Sequence, residues 1–169
     1  METSDLDHVA RIMEQWGVER PDLDVSPMGL IGRLHRLGGR LNDELRPVFA
    51  AGGLGDGDFD VLAALRRSGP PYALTPGELG ATTMVTSGAI TKRIDRLERA
   101  GLATRTVSET DGRSRRVALT DEGRELVDAL VERHVANEHR LVSGLSEQER
   151  KQLARLLEAW GRALDELED

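Results

Sequence analysis

The sequence predicts a mainly α-helical fold with one short β-hairpin. Apolar residues recur at intervals of three and four along most of the 169-residue chain, a spacing typical of amphipathic helices. Capping residues precede several of these stretches. Near the middle, two short segments suited to strands flank a polar tip that contains a glycine. Helices therefore account for most of the expected fold.

Three helices are expected in the first 70 residues. Ser4 is the predicted cap of a first helix over residues 5–16. A second helix is predicted over residues 26–49, because a serine and a proline open it and its apolar residues are spaced for one face. We expect Pro47 to kink or loosen its last turn. A third helix is predicted over residues 56–67.

The next part of the chain predicts two short helices followed by a hairpin. Thr75 caps the first of them, and Glu78 completes a capping box with it. A second helix follows a short connector and ends at Gly101. Strands are expected over residues 102–107 and 115–119. Helix, turn, helix and hairpin in this order are typical of a winged helix-turn-helix.

Two long helices are expected at the carboxyl end. Thr120 caps one that ends near Val142, and Ser146 with Glu149 forms a capping box for a last helix through Leu167. Their apolar sides exceed what one domain can cover, which predicts burial against a second copy of the chain. The predicted contributors are Leu126, Leu130, Leu153, Leu156, Leu157, Trp160 and Leu164.

Charge indicates what the hairpin region contacts. The whole chain is acidic, with a formal net charge of −7, whereas residues 86–116 carry +4 and the remainder −11. A basic face on an acidic body is the electrostatic pattern of a DNA-binding protein. The predicted domains are residues 1–25, an extra N-terminal helix and loop; 26–52, a first dimerisation helix; 53–120, a DNA-binding lobe; and 121–169, the C-terminal dimerisation helices.

The second short helix is the predicted recognition helix. Ile90, Ile94 and Leu97 form its buried stripe, so the opposite side is free for DNA. The predicted DNA-contacting residues are Ser87, Gly88, Thr91, Lys92, Arg93, Arg96 and Arg99.

These residues have different expected roles. Recognition helices contact bases mainly with their N-terminal half, which favours Ser87, Thr91 and Lys92 for base edges. Gly88 permits close approach, and Arg96 and Arg99 are the expected phosphate ligands. Arg93 lies at the edge of the buried stripe and suits either DNA or the protein interior. Asp95 is expected to pair with an arginine.

The hairpin supplies a second predicted DNA contact. Arg113 follows a turn glycine, where an arginine can enter a narrow minor groove. Asp111 is expected to orient this tip, and Arg115 adds positive charge at the start of the second strand. The hairpin is therefore the expected wing.

Other classes of protein fit less well. The chain has no cysteine, phosphate-binding loop or nucleophile elbow, so we expect neither an enzyme nor a cofactor. His134 and His139 are five residues apart and cannot share a metal ion from one helix face, whereas His134 and Glu138 alone make no site. We expect solvated side chains there and no metal. The chain contains no apolar run of membrane-spanning length and no signal peptide, which predicts a cytoplasmic protein without a membrane partner.

Two segments resemble the multiple-antibiotic-resistance regulator (MarR) family. Residues 87–98 are similar to its recognition helix, and Asp111-Gly112-Arg113 followed by residues 117–120 resembles its wing. The resemblance extends over residues 26–168. It implies a homodimeric repressor that binds a pseudo-palindromic operator in double-stranded DNA and is released by a ligand. A winged-helix module that binds other proteins, without a ligand response, is the alternative.

The N-terminal segment resembles one branch of this family, the urate- or carboxylate-responsive PecS and TamR type. That branch has an extra first helix bearing a tryptophan. The resemblance implies ligand residues at Trp16, Asp60, Arg67 and Arg105. An unrelated aromatic or phenolic effector, or no ligand, are the alternatives; in the last case these arginines and the aspartate only bridge the lobe to the dimerisation helices.

Overall fold

The computed structural model describes residues 7–55, 57–83, 87–107 and 115–167. These residues form seven helices and a three-stranded antiparallel sheet. In chain order the elements are α1 (His8–Glu19), α2 (Ser26–Ala50), α3 (Asp58–Arg67), β1 (Ala73–Leu74), α4 (Pro76–Thr82), α5 (Ser87–Arg99), β2 (Ala103–Val107), β3 (Arg115–Leu119), α6 (Asp121–Leu141) and α7 (Glu147–Asp165). The chain divides into two compact units, residues 1–47 and 48–169. The predicted mainly helical class is therefore confirmed.

The first unit contains α1 and most of α2. The prediction that α1 begins at residue 5 is wrong, because the Asp7 carboxylate accepts the Ala10 backbone N–H at 2.7 Å and the helix starts at His8. Ser4, the expected cap, lies outside the described residues. Arg33 of α2 donates to the same carboxylate at 2.6 Å. The Ala10 amide and, secondarily, Arg33 hold the pKa of Asp7 below its ordinary value.

Helix α2 runs three residues beyond Pro47. The prediction that the helix ends near Phe49 is confirmed to within one residue. Phe49 belongs to the second unit, where its ring stacks on Phe59 of α3 with centroids 4.7 Å apart.

The core of the second unit is built around α3. Eight of the ten α3 residues are buried, far more than a surface helix with one apolar stripe would show. Side chains of α4, α5, the sheet and α6 surround it, including Leu79, Ile94, Val117 and Val127. Helix α3 is therefore the element against which the recognition helix is packed.

The sheet has the strand order β1-β3-β2, with both pairs antiparallel. In the hairpin, Ala103 pairs with Leu119 and Val107 with Arg115. Strand β1 was not predicted, since two residues are too few to show an alternating pattern. It adds Ala73 opposite Ala118 and so fixes the wing to the chain just before α4.

The predicted caps of three helices are confirmed. Capping boxes form at Thr75 with Glu78 and at Ser146 with Glu149. The hydroxyl of Thr120 accepts the Gly123 N–H at 3.0 Å at the start of α6. These side chains satisfy backbone N–H groups that have no partner within the helix.

His134 is not a solvated side chain as expected. Its ring lies 5.4 Å from that of Phe49 and 5.0 Å from that of Phe59, measured between centroids. Nε2 of His134 is 3.2 Å from Glu138 Oε1. Two aromatic residues distant in sequence pack against this half-buried histidine, and no local pattern around residue 134 reveals them.

One predicted interface leucine is also corrected. Leu130 is buried in the core of its own chain and is not free for a partner, whereas Leu126 is only partly buried against that core. By contrast, α7 has no buried residue, and Leu153, Leu156, Leu157 and Leu164 are exposed. In the part of the chain that the structure describes, no helix is both long and apolar enough to span a membrane.

Candidate nucleic-acid interface

Helix α5 separates its apolar and polar sides as the sequence predicts. Ile90, Ile94 and Leu97 are buried, whereas Thr91 and Lys92 are exposed. Arg96 and Arg99 are also exposed, one and two turns further along the helix. Ser87 is the first residue of α5, but the side chain of Ser87 and the surroundings of Gly88 lie outside the described residues. The exposed side of α5 carries the polar groups that a DNA contact requires.

Arg96 is bound to the protein as well as exposed. Its Nε and Nη2 donate to Oδ1 of Asp58, the first residue of α3, at 3.1 and 2.7 Å. Oδ2 of Asp58 accepts the Gly55 N–H at 2.8 Å. The Asp58 side chain is 1% exposed, against 51% for Arg96. Sequence reasoning missed Asp58, because an acidic residue in a first helical turn is ordinarily a solvated partner of the helix dipole.

Arg93 lies beside the segment that precedes α3. A Cβ added to Gly57 would be 2.5 Å from Cζ of Arg93, so the guanidinium lies directly against this glycine. Gly57 has a φ of +75°, a conformation that L side chains rarely adopt. The position of Arg93 against Gly57 favours the protein-facing alternative over a base contact.

Two acidic residues of α5 bind an arginine from the wing. Nη2 of Arg105, on β2, donates to Oδ1 of Asp95, and its Nη1 donates to Oε2 of Glu98. The backbone N–H of Arg105 also donates to Glu98 at 3.2 Å. The hydrogen bond to Asp95 is the largest cause of a raised Arg105 pKa. The prediction that Asp95 pairs with an arginine is confirmed.

Two further arginines fix α4, the helix before the connector. Nη2 of Arg116 donates to the Ala73 carbonyl at 2.5 Å and lies 3.8 Å from Oε2 of Glu78. Nη2 of Arg67 donates to the Thr82 carbonyl at the end of α4 at 3.0 Å. The wing and α3 thus both hold α4 by side-chain contacts.

The predicted wing contacts are only partly described. Arg115 is exposed at the start of β3. Asp111 and Arg113 lie outside the described residues, so their predicted roles are unchanged predictions.

The residues implied as a ligand site lie in different parts of the chain. Trp16 is on α1 in the first unit and is 43% exposed. Asp60 is buried in α3, while Arg67 and Arg105 make the contacts with α4 and α5 described above. Any anion that binds Arg105 would have to compete with the carboxylates of Asp95 and Glu98.

Helices α4 and α5 followed by the β2–β3 hairpin define a winged helix-turn-helix, the architecture of a DNA-binding protein. Residues 52–114 match the model of the MarR family. The chain is 44% identical over 149 residues to the transcriptional regulator PecS of Dickeya dadantii, covering 88% of this chain and 90% of that protein. The chain belongs to the MarR family of transcription regulators. Its members are not enzymes, which agrees with the predicted class.

Two solved structures show the same fold. One concerns regulation of DNA binding of Bordetella bronchiseptica BpsR by 6-hydroxynicotinic acid; it is 25% identical, with a TM-score of 0.69 over 77% of this chain and 91% of that one. The other is CouR from Rhodococcus jostii RHA1 bound to p-coumaroyl-CoA, 27% identical, with a TM-score of 0.66 over 76% and 90%. The family resemblance seen in the sequence is confirmed.

Proposed function

We propose that this regulator is a homodimeric repressor that binds a pseudo-palindromic operator in the cytoplasm. The observation that supports this most directly is α5. It presents Thr91, Lys92 and Arg99 to solvent on the side opposite a fully buried apolar stripe. The surrounding residues 86–116 carry +4 in a chain of net charge −7. Positive charge is therefore concentrated where a major groove would meet the protein.

Base contacts are assigned to the N-terminal half of α5. Ser87, Thr91 and Lys92 contact base edges, and Gly88 permits the backbone to approach closely. Arg99 lies one turn after Asp95 on α5 and contacts phosphate.

The wing adds contacts beside the major groove. Arg113 enters the minor groove, Asp111 orients the tip, and Arg115 contacts phosphate at the start of β3, the end of the strand nearest the tip. The Arg105 contacts to α5 support a common docking of wing and helix, since they join the two elements by side chains.

Dimerisation is proposed from the exposed leucines of α7. Four leucines of one 19-residue helix are exposed and none of its residues is buried in its own chain. A partner that covers this face removes apolar area from water, which stabilises the pair. In a twofold dimer the two recognition helices would lie about 34 Å apart, one turn of DNA.

We also propose that a small molecule regulates DNA binding by this protein. BpsR and CouR are relatives whose structures concern an aromatic acid and an acyl-CoA, respectively. We propose an anionic or aromatic effector, with urate or a small carboxylate as the first candidates; Trp16 of the first unit, and Asp60, Arg67 and Arg105 of the second, stay the predicted ligand residues. Such a ligand acts only if it binds the free and the DNA-bound dimer with different affinity.

Selection of DNA from a randomised duplex pool tests the proposal. We expect recovery of one inverted repeat with half-sites about 10 base pairs apart. The selected duplex is then titrated in the presence of urate, citrate, trans-aconitate or salicylate, and release by one compound identifies the effector class. Recovery of no common sequence would favour the alternative of a winged helix that binds proteins.

A further inference from the structure

We infer that Asp58 is a positioning residue for the recognition helix, holding α5 in its DNA-binding orientation through Arg96. The inference rests on the proposed function, because it assigns a role within the same DNA-binding site. The Asp58 side chain is 1% exposed and cannot contact DNA. Its influence on DNA must therefore pass through Arg96, which lies on the helix that carries the candidate contacts.

The geometry of this ion pair restricts α5. Two nitrogens of the planar Arg96 guanidinium donate to Oδ1 of Asp58, and the other oxygen accepts the Gly55 N–H. A guanidinium held at two nitrogens is fixed in direction as well as in distance. Separation of Arg96 from the buried Asp58 carboxylate would leave a buried charge without a partner, which is energetically costly. One side chain thus joins α3, the preceding loop and α5.

The loop before α3 leaves space for this arrangement. A Cβ on Gly55 would lie 3.1 Å from both Nη1 of Arg96 and Oδ2 of Asp58. At Gly57 an added Cβ would lie 2.5 Å from Cζ of Arg93. Gly55 and Gly57 therefore leave room for two guanidinium groups from α5, where a larger residue would contact them.

Arg96 lies between the candidate DNA contacts. Lys92 is one turn before it and Arg99 less than one turn after it on α5. A rotation of α5 about this point would move base and phosphate contacts together. Loss of the ion pair should therefore reduce discrimination between DNA sequences, while the number of neutralised phosphates stays the same.

The first test uses Asp58→Asn, which keeps the shape of the side chain and removes its charge. Its control is Asp128→Asn, because Asp128 of α6 pairs with Arg66 of the same helix α3 at 2.8 Å, an ion pair between α3 and α6 instead of α3 and α5. Both variants are titrated with the duplex that the wild type selects and with a scrambled duplex, at several salt concentrations.

We expect D58N to bind the selected duplex about tenfold more weakly, the usual effect of losing a hydrogen bond to a charged group. The preference over the scrambled duplex should fall by the same factor, with an unchanged salt slope. D128N should behave as wild type. Equal losses on both duplexes, or tighter binding with a steeper salt slope, would show that Arg96 is a phosphate ligand and overturn the inference.

A second test needs no DNA and separates this inference from the proposed function. The chain has no cysteine, so spin labels can be placed at Arg99→Cys on α5 and Glu125→Cys on α6. The distance between them is measured in protein diluted with unlabelled chain. D58N should shift or broaden the distance distribution, and D128N should not. If D58N does not fold, R96K, which loses the two-nitrogen contact, should give the same change. An unchanged distribution would overturn the positioning role even if the wild type selects an operator.

Discussion

Arg105 of β2 forms an ion pair with Asp95 of α5, so the first strand of the wing is joined directly to the recognition helix. The pair also neutralises a carboxylate on the helix that is proposed to enter the major groove. Asp95 lines an open depression on α5 together with Lys92, Arg93, Arg96 and Arg99. The charge presented to DNA therefore depends on a wing residue outside the helix.

Substitution of Arg105 tests this dependence. Arg105→Gln leaves Asp95 and Glu98 without their cation, and we expect severalfold weaker binding to DNA of any sequence because two carboxylates then face phosphates. The double variant R105Q/D95N should recover part of the affinity. Anisotropy titration of selected and scrambled duplexes gives both values. Failure of D95N to restore any binding would contradict the electrostatic explanation.

A charge placed on the apolar face of α7 should separate the dimer. Leu156 is 60% exposed, and Leu156→Glu would place a carboxylate inside the proposed interface. Sedimentation should show a monomer with an unchanged helical circular dichroism spectrum, because no α7 residue is buried in its own chain. Arg155→Glu, on the opposite side of the helix, is the matched control and should remain dimeric. A dimeric L156E would exclude this face as the interface.

The packing of α6 on the chain before β2 depends on a glycine. A Cβ on Gly123 would lie 2.0 Å from the Leu102 carbonyl oxygen, so Gly123→Ala must displace backbone and should destabilise the protein by several kcal/mol. Gly17→Ala is the control, since Gly17 is helical and a Cβ added there would meet no atom beyond its own helix backbone within 4 Å. It should stabilise α1 by up to about 1 kcal/mol. Urea denaturation measures the stability of both variants. Equal denaturation midpoints for G123A and G17A would contradict the predicted contact.

Acid should weaken the cap of α4. The Thr75 backbone N–H lowers the pKa of Glu78 below its ordinary 4.5, with the Thr75 hydroxyl as the second cause. A lowered folded-state pKa means stability that is complete above pH 4.5 and is lost as the pH falls through the folded value. Glu78→Gln should therefore show a shallower decline of the melting temperature below pH 4.5 than wild type. Parallel curves for the two proteins would indicate that Glu78 contributes nothing to acid sensitivity.

Local patterns were sufficient for most of the helices and for the side of α5 that faces solvent. Two of these features are short-range, so the sequence displays them directly: the capping box of Thr75 and Glu78, and the buried stripe of Ile90, Ile94 and Leu97. The N-terminus was predicted less well, because Ser4 and Asp7 are both acceptable caps and the contact of Asp7 with Arg33 is not local.

The parts of the candidate site that the sequence does not predict depend on contacts between residues far apart in the chain. Asp58 and Arg96 are separated by 38 positions, and no periodicity links them. Arg96 was predicted as a phosphate ligand because its exposure follows from helix geometry, whereas its carboxylate partner does not. In the same way, Asp95 was expected to need an arginine, but only the fold identifies Arg105 as that residue.

Equilibrium anisotropy with a selected operator and a scrambled duplex, at two salt concentrations, tests the central claim most directly. We predict binding at least about a thousandfold tighter to the operator, as for specific DNA-binding proteins, with both affinities falling as salt rises. Lys92→Gln, on the exposed side of α5, should remove much of the preference. Equal, salt-insensitive binding of the two duplexes by the wild type would contradict the assignment of α5 as a recognition helix.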